Sequence, residues 1–555
     1  MIKVITYSFI LFLFTILFYH NSYSQIKKDN KKLTYDNIIS QQKKEKIDFK
    51  NYTKNQVPKE SEKELQFLAF YINQAVMSNF HPESSLFNGQ LVGRLFGQNG
   101  SNTSSKDKSY YVEQRLLPFF IYKPKLFNGK AILRASFEID WTWGDNAYVN
   151  SGNKGSAISA DAVNLQTQNI ELELIPAKGW AINLGLQRLY DTPYNPYRTF
   201  VDKLLTTGNR LAYWGTDGVG ISIRKDWDFS KLKTGFYKLY ENSTQLDDDV
   251  SLFEIMYENS ITNNWKLGVN GNYVKDRSKG AGGPSTFGQG LTSLLPEYSG
   301  LFKFNLGAKD YKADIFWLGT NFSYNADLMN SRWFASGFLN YNFGTVTALG
   351  TTNNWGKETD IDVSGLGANL RAGYRYGQTT KDIVNFDFMY TTGDGNALED
   401  KKYSGVVTGN YWGYPGAAFI GTGSYLIFPH SNVVNRFTPA VGDISNMGYG
   451  LTAATINLSR DIIPNKVNAK LGYAYARSVK KTENGGQDMG SELNFSLSYN
   501  FGPFMSLEFH AAKMWLGNFY DSNDDKNGFD VNGAYNTNRP EDPYTAFLVF
   551  KWLMF

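Results

Sequence analysis

The sequence predicts an all-β protein: a single transmembrane antiparallel β-barrel of about 18 strands with long external loops. Three observations predict it, namely strands with a period of two, an export signal followed by no apolar run of spanning length, and connections that alternate between short and long. We expect such a barrel to lie in the outer membrane of a Gram-negative type envelope, with both chain termini periplasmic.

The stretch from Ala131 to Gly144 shows the period of two most clearly. Its apolar residues fall on one face of an extended strand: Leu133, Ala135, Phe137, Ile139, Trp141 and Trp143. Its polar residues fall on the other face: Arg134, Ser136, Glu138, Asp140 and Thr142. Two tryptophans at one end of the apolar face are typical of a lipid-facing strand with an aromatic girdle at a membrane interface.

The composition suits long aromatic strands joined by glycine-containing turns. The chain has Tyr 36, Phe 40, Trp 12 and Gly 52, with Pro at only 16. A net charge of +4 is too small to argue for a nucleic-acid partner. The absence of cysteine excludes disulfides, thiolate metal sites and cysteine nucleophiles.

Residues 1–24 are predicted to be a signal peptide. Lys3 precedes the apolar run Val4–Tyr19, and the small residues Ser22 and Ser24 favour cleavage after Ser24. An uncleaved anchor is the less favoured alternative, because the run is short for a spanning helix, which needs ~20 residues. Without a later apolar run of that length, only a closed barrel satisfies the backbone in lipid.

The next two segments are predicted to precede the barrel. Residues 25–64 are rich in Lys and Asn and lack an apolar period, so we expect a flexible periplasmic arm. Residues 65–88 are predicted to be a short segment at the periplasmic mouth, either a short helix or an ordinary packing segment, with Leu65–Phe80 as its apolar part. The barrel is then expected to occupy residues 89–555.

Strand positions follow from the rule that periplasmic turns are short and external loops are long. The predicted strands are Gln90–Gln98, Tyr111–Lys123, Lys130–Gly144, Asn164–Ile175, Ala181–Tyr190, Gly218–Trp227, Leu232–Tyr240, Ser251–Asn259, Lys266–Lys275, Ala313–Tyr324, Arg332–Phe343, Val363–Gly377, Ile383–Tyr390, Tyr449–Arg460, Lys466–Arg477, Glu492–Phe501, Met505–Trp515 and Tyr544–Phe555. One tight connection is expected at Asn128–Gly129, where both residues tolerate positive φ. In the last strand Lys551 is expected on the lipid-facing side, close enough to the interface to snorkel.

An eighteen-stranded barrel leaves a water-filled lumen, so inward-facing residues are the candidates for selectivity. Strand parity predicts that these face inward: Arg94, Glu113, Arg115, Arg134, Glu138, Asp140, Glu171, Glu173, Arg224, Glu254, Glu258, Lys266, Arg371, Arg375, Asp387, Lys470, Glu492 and Glu508. Asp387 is expected to pair with Arg371 or Arg375. The alternative is that these charges only solvate and brace the wall.

Two short stretches resemble a known family. One comprises Gly185–Tyr190 (G-L-Q-R-L-Y) and Thr207–Val219, which contains Trp214 and Asp217-Gly218-Val219; the other is Tyr390–Asn396, with Thr392-Gly393-Asp394. Both are similar to motifs of the alginate-export family of eighteen-stranded outer-membrane channels. The resemblance implies a barrel with a channel role. The family's arginine position holds Leu186 here, and the eight basic and ten acidic inward residues differ from the positive lumen expected of a polyuronate exporter.

Two long connections are candidates for narrowing or covering the lumen. Asp191–Gly215 carries a candidate constriction set among aromatic residues: Arg198, Asp202, Lys203 and Arg210. An external cap is an equal alternative for this loop. For Gly393–Met447, a self-packed lid is favoured over a surface that stacks sugar rings.

Other constellations are weaker. Asn523–Gly528 partly matches a calcium loop, but the position of the bidentate acid holds Ala534, so a solvated turn is favoured. Glu508 and His510 share one face of a strand, and wall residues are favoured there over a hydrolase site. We therefore expect no enzyme activity, no cofactor and no metal.

The sequence favours an outer-membrane, porin-like channel for passive passage of small polar or sugar-like solutes through a mixed-charge lumen. A surface adhesion or assembly protein anchored by the barrel and a polysaccharide exporter are the alternatives. The expected partners are outer-membrane lipid and small polar solutes or saccharides, with accessory envelope proteins or a homo-oligomer left open.

Overall fold

The computed structural model describes residues 63–82, 95, 101–144, 165–193, 217–241, 243–244, 247–279, 310–325, 331–350, 356–396, 399–407, 423–428, 439–441, 444–446, 448–482, 484–502, 504–521 and 540–554. These residues all belong to one compact unit, Phe49–Phe555. Within them, no helix is long and apolar enough to cross a membrane.

The described residues form 21 strands. They are β1 (Leu65–Ser78), β2 (Phe80–Pro82), β3 (Ser101–Thr103), β4 (Ser109–Tyr122), β5 (Ala131–Thr142), β6 (Leu165–Leu174), β7 (Trp180–Arg188), β8 (Asp217–Asp226), β9 (Ser230–Tyr240), β10 (Val250–Ser260), β11 (Trp265–Asp276), β12 (Tyr311–Tyr324), β13 (Trp333–Ala348), β14 (Thr359–Arg375), β15 (Ile383–Thr391), β16 (Lys402–Tyr403), β17 (Leu451–Ile463), β18 (Val467–Arg477), β19 (Asp488–Gly502), β20 (Met505–Leu516) and β21 (Tyr544–Met554).

Eighteen of these strands form one closed antiparallel barrel, as the sequence predicts. From β4 to β21 each wall strand pairs with the next, and β1 closes the ring by pairing with β4 and β21. Ile72 of β1, for example, lies opposite Arg115 on one side and Lys551 on the other. The remaining three strands lie outside this ring, β2 pairing with β3 and the two-residue β16 pairing with β14.

The first wall strand differs from the predicted one. Leu65–Ser78, expected to be a helix or packing segment at the mouth, is β1, with wall strands on both sides. The ring is closed by β1, and the predicted strand Gln90–Gln98 lies outside the described residues except for Leu95. The period of two was hidden because inward positions of β1, including Leu68, Phe70 and Ile72, are apolar like its outward ones.

Connection lengths keep the predicted parity. The start of β1 at Leu65 and the end of β21 at Met554 both lie at the barrel end that carries the short turns, as an even number of wall strands requires. In the connection from β4 to β5, Asn128 and Gly129 adopt φ values of 49° and 73°, as expected for this pair. The long connections gather at the opposite end, which we call the long-loop end.

The outward face carries two rows of aromatic rings. Near the short turns Trp265 contacts Tyr324, with ring centroids 4.9 Å apart. Nearer the long-loop end Tyr273 stacks on Phe316 at 4.4 Å. Eight residues of a tilted strand separate Trp265 from Tyr273, a height of about 20 Å, close to the apolar band of outer-membrane barrels. The outward face thus has the pattern that a bilayer covers.

Candidate functional site

The predicted inward charges lie on the inner wall, with one outside the described residues. Along β5, Arg134 and Asp140 are 5% and 2% exposed, whereas Leu133 on the opposite face is 44% exposed. The same alternation buries or half-buries all the predicted inward charges except Arg94, which is not among the described residues. The face assignment therefore agrees with the structure, while a role in selectivity is a separate matter.

One part of the wall is held by ion pairs that run from strand to strand. Arg115 of β4 contacts Asp140 at 2.6 Å and Glu138 at 2.5 Å, both on β5. The neighbouring group joins Arg134 to Glu171 at 3.0 Å and to Glu173 at 3.4 Å. Because each buried charge has a partner on an adjacent strand, these groups offset one another's desolvation and brace the wall.

The same pattern continues over the next strands. Arg224 of β8 lies 3.5 Å from Glu173 of β6, so one carboxylate serves two arginines. Lys233 of β9 contacts Glu254 of β10 at 2.7 Å, and the hydroxyl of Tyr237 donates to the same carboxylate at 2.7 Å. Charges of both signs are interspersed along this arc, which fits a mixed-charge wall.

Arg371 and Arg375 differ although they lie four residues apart on β14. Arg371 pairs with Asp387 of β15 at 2.5 Å, which confirms that Asp387 takes one of the two arginines. Arg375, 4% exposed, donates to the carbonyl of Ser331 at 3.1 Å and lies over the ring of Phe334 at 4.7 Å. Among the described residues no carboxylate forms an ion pair with Arg375, so its charge is uncompensated there.

Part of the long connection between β15 and β17 lies inside the barrel. The backbone N–H groups of Tyr425, Leu426 and Ile427 donate to the carboxylate of Glu492 at 2.7, 3.0 and 2.8 Å. The hydroxyl of Ser424 donates to the same carboxylate at 2.7 Å. Glu492 is the fifth residue of β19 from the long-loop end and faces inward, so residues 423–428, here called the inner segment, lie below the rim.

A second contact fixes the inner segment to the wall. The hydroxyl of Tyr425 and Nδ1 of His510 are 3.0 Å apart, and Nε2 of His510 lies 3.0 Å from Glu508. Lys551 donates to the same Glu508 at 2.9 Å. Lys551 therefore faces inward, contrary to the prediction that it shares the lipid-facing side. Both faces of β21 are largely apolar, so parity alone did not decide its orientation.

A third contact holds another part of the same connection. The indole N–H of Trp317 donates to the carbonyl of Val407 at 2.8 Å, and the N–H of Val407 donates to Asn342 at 3.2 Å. Around this point the inward residues near the long-loop end are apolar, including Leu252, Val274 and Ile315. In its described parts the connection is thus anchored at separate points on the inner wall. It also packs on itself there, since the N–H groups of Ala440 and Val441 donate to the carbonyls of Leu426 and Ile427 at 2.7 and 2.9 Å.

The candidate constriction set of the loop Asp191–Gly215 is not part of this described arrangement. Arg198, Asp202, Lys203 and Arg210 lie outside the described residues, as do the predicted signal peptide 1–24, most of the predicted arm 25–64 and the calcium-like stretch Asn523–Gly528. Sequence reasoning did not identify the inner segment. The available signal was Tyr425–Phe428, four consecutive apolar residues in a glycine-rich connection, which need burial somewhere.

Comparison with known proteins gives structural likeness only. No protein-family model matches the chain, and no curated protein matches it. Among solved structures, Acinetobacter baumannii OccAB4 is similar with a TM-score of 0.44 and 12% identity, covering 89% of this chain and 98% of that one. A BenF-like porin from Pseudomonas fluorescens Pf-5 gives 0.45 and 8%, covering 89% and 99%.

A third similar structure is Pseudomonas aeruginosa OccK2 (OpdF) in complex with glucuronate. Its TM-score is 0.43 and its identity 11%, covering 88% of this chain and 96% of that one. The barrel assignment rests on the strand pairing within this chain, since similarities at this level do not transfer a ligand or a role.

Proposed function

We propose that the protein is an outer-membrane channel for passive passage of small polar or sugar-like solutes through a mixed-charge lumen. The observation that carries the proposal is the inner wall of the closed eighteen-stranded barrel, where Arg, Lys, Asp, Glu and Asn side chains face inward. A barrel of this strand number has room for an aqueous channel, and a wall built only for anchoring needs no such polar lining.

Two features would set which solutes pass. Arg375, which has no ion-paired carboxylate among the described residues, and the paired charges on β4–β10 act on solutes across a low-dielectric wall, where fields are focused. The inner segment, held by Glu492, narrows the lumen from one side. Arg94 and the loop Asp191–Gly215, with Arg198, Asp202, Lys203 and Arg210, are proposed to contribute further charges and a further constriction.

The proposal includes a cellular location and an orientation in the membrane. The outward apolar band with its two aromatic rows supports contact with outer-membrane lipid. The short turns and both ends of the barrel chain are proposed to be periplasmic, and the long-loop end external. Accessory envelope proteins or further copies of the chain would have to bind at the rims or the outward face.

Two alternatives have some support. The buried anchoring of the inner segment and the apolar inward cluster at the long-loop end favour a closed barrel that serves as an anchor for a surface adhesion or assembly protein. The short motifs similar to the alginate-export family favour a polysaccharide exporter, but ion-paired charges of both signs are a poor match to a polyanion.

Planar-bilayer recording of the purified full chain separates these functions. The channel proposal expects stepwise, ohmic single-channel currents in potassium chloride. If no insertion event gives a current, although heat-modifiable gel migration shows that the protein is folded, the result would instead support an anchor for a surface adhesion or assembly protein. A current that an anionic polyuronate blocks and that small neutral solutes leave unchanged would support a polysaccharide exporter.

A further inference from the structure

The inner wall of β11–β13 carries a group of buried asparagines. Asn272 of β11, Asn321 of β12, and Asn340 and Asn342 of β13 face inward and are at most 7% exposed. The inward positions of β12 and β13 are all described, and none of them carries a charged side chain. We call these four residues the amide arc.

Strand register brings the amide arc together. Asn272 and Asn342 lie on either side of Trp317, while Asn340 lies opposite Gly319. One step closer to the short turns, Asn321 lies opposite Phe338. Positions two apart on a strand are separated by about 6.8 Å, and positions two strands apart by about 9.6 Å. Four amides thus cover an area of the size of a small solute, with Trp317 between Asn272 and Asn342 and Phe338 beside Asn321.

The amides of the arc have fewer hydrogen-bond partners than other wall amides. In the described part of the chain, Asn272 and Asn340 are the asparagines for which both amide atoms are buried without a hydrogen bond. The Nδ2 groups of Asn321 and Asn342 are likewise unpartnered there, whereas Oδ1 of Asn342 accepts the N–H of Val407 at 3.2 Å. Elsewhere Asn369 donates to Asp387 at 2.7 Å, and Asn183 donates to Glu173 at 3.2 Å. Burying unsatisfied amides is costly, so their grouping needs an explanation.

The chemistry of the arc selects a class of ligand. An amide both donates and accepts hydrogen bonds, and a hydroxyl does the same, so the two are complementary in either direction. A carboxylate or an ammonium group would lose its hydration here without meeting an opposite charge. The enclosed position also strengthens each hydrogen bond relative to bulk water.

We propose that the amide arc is a binding site for neutral polyhydroxylated solutes, such as a small saccharide or a polyol. This inference rests on the proposed channel function and adds the substrate class and its residues. It separates the wall into two parts, the ion-paired arc on β4–β10 and the amide arc on β11–β13, which recognise different chemistry.

The test is block of single-channel current by sorbitol and by gluconate, which share a six-carbon polyhydroxyl skeleton and differ in charge. Sorbitol is expected to block saturably and at a lower concentration than gluconate. The double substitution Asn272→Leu with Asn340→Leu keeps the number and branching of the side-chain heavy atoms and removes the hydrogen-bonding atoms, so the half-blocking concentration of sorbitol should rise about tenfold or more. Asn259→Leu, on the outward face of the neighbouring β10, is the matched control and should leave that concentration as in the wild type.

Three results separate the outcomes. Ion current without any block by sorbitol, or equal block by both solutes, would overturn the amide arc and leave the channel proposal standing. Absence of current in the wild type would overturn the channel proposal itself. If the double variant does not assemble, Asn340→Ser, which retains a hydroxyl, replaces it: a smaller rise in the half-blocking concentration supports the site, and an unchanged value contradicts it.

Discussion

The hydroxyl of Ser424 donates a hydrogen bond to the carboxylate of Glu492 at 2.7 Å, although 68 residues separate them in the chain. Ser424 belongs to a loop and Glu492 to the inner wall of β19. Together with three backbone N–H groups, this contact holds the inner segment inside the barrel. The position of the segment therefore depends on one wall carboxylate.

Substitution Glu492→Gln should loosen the inner segment. It replaces hydrogen bonds to a charged acceptor with fewer and weaker ones to an amide, a loss of about 2 kcal/mol or more in holding the segment in place. Single-channel recordings should show a larger mean conductance or more frequent steps than the wild type. Ser491→Ala, on the opposite face of the same strand, is the control. Identical currents for Glu492→Gln and wild type would mean that the segment does not narrow the channel.

Substitution Arg375→Gln should shift ion preference toward cations. Among the described residues its charge has no ion-paired carboxylate, so removing it changes the field at the wall without exposing a buried acid. The reversal potential in a salt gradient measures this shift. Arg460→Gln, an exposed residue on the outward face of β17, removes the same charge outside the barrel. An equal shift for both variants would contradict a role for Arg375 in the lumen.

Substitution Phe137→Arg should impair assembly. Phe137 lies on the outward face near the middle of β5, and its ring contacts that of Phe120 at 6.4 Å. Arginine at the bilayer midplane costs about 2–4 kcal/mol in such barrels. Gln168→Arg is the matched inward change, because Gln168 already donates to Glu138 at 2.9 Å and an arginine can do so too. Unfolding titrations in lipid vesicles compare the two, and equal stabilities would reverse the face assignment.

The short turn before β15 should become less stable in acid. Asp382 lies in this turn, outside the wall strands, and accepts the N–H groups of Gln378, Thr379 and Asp461. Burial of the carboxyl raises the pKa of Asp382. The hydrogen bonds from these backbone N–H groups lower the pKa by more than burial raises it, so the pKa lies below its ordinary value. A carboxyl whose folded-state pKa is depressed adds stability above its unfolded-state pKa and loses it as pH falls through the folded-state pKa.

The measurement is thermal unfolding of Asp382→Ala and wild type across the acid range. At neutral pH the variant should be less stable by about 1–3 kcal/mol, because it leaves backbone N–H groups unpaired. The difference should shrink toward low pH, where the wild-type carboxyl is protonated. A difference that stays constant with pH would show that the charge on Asp382 does not contribute.

Most of the barrel was predictable because its strands alternate apolar and polar residues with a period of two. The exception shows why the prediction works: β1 has Leu68, Phe70 and Ile72 on its inward face, so its period is hidden. The strand count was right although one predicted member was wrong, since β1 and Gln90–Gln98 precede the same second strand. The predicted orientation of Lys551 was wrong for a related reason, because β21 is largely apolar on both faces.

The candidate site was predictable only in part. Parity places single residues such as Arg371 and Asp387 on the inner wall, and the adjacent strands then bring them within 2.5 Å. The path of a loop is set by contacts distant in sequence, such as that of Tyr425 with His510, for which no local pattern exists. The unpartnered state of Asn272 and Asn340 likewise depends on what surrounds them, which a sequence does not show.

Passive passage of small polar solutes is tested most directly by osmotic swelling of proteoliposomes that contain the purified full chain. With neutral solutes of increasing size, we expect swelling that needs no energy source, exceeds that of protein-free liposomes, and slows as the solute grows. Swelling equal to that of protein-free liposomes for every solute, with the barrel shown to be folded and inserted, would contradict the channel function.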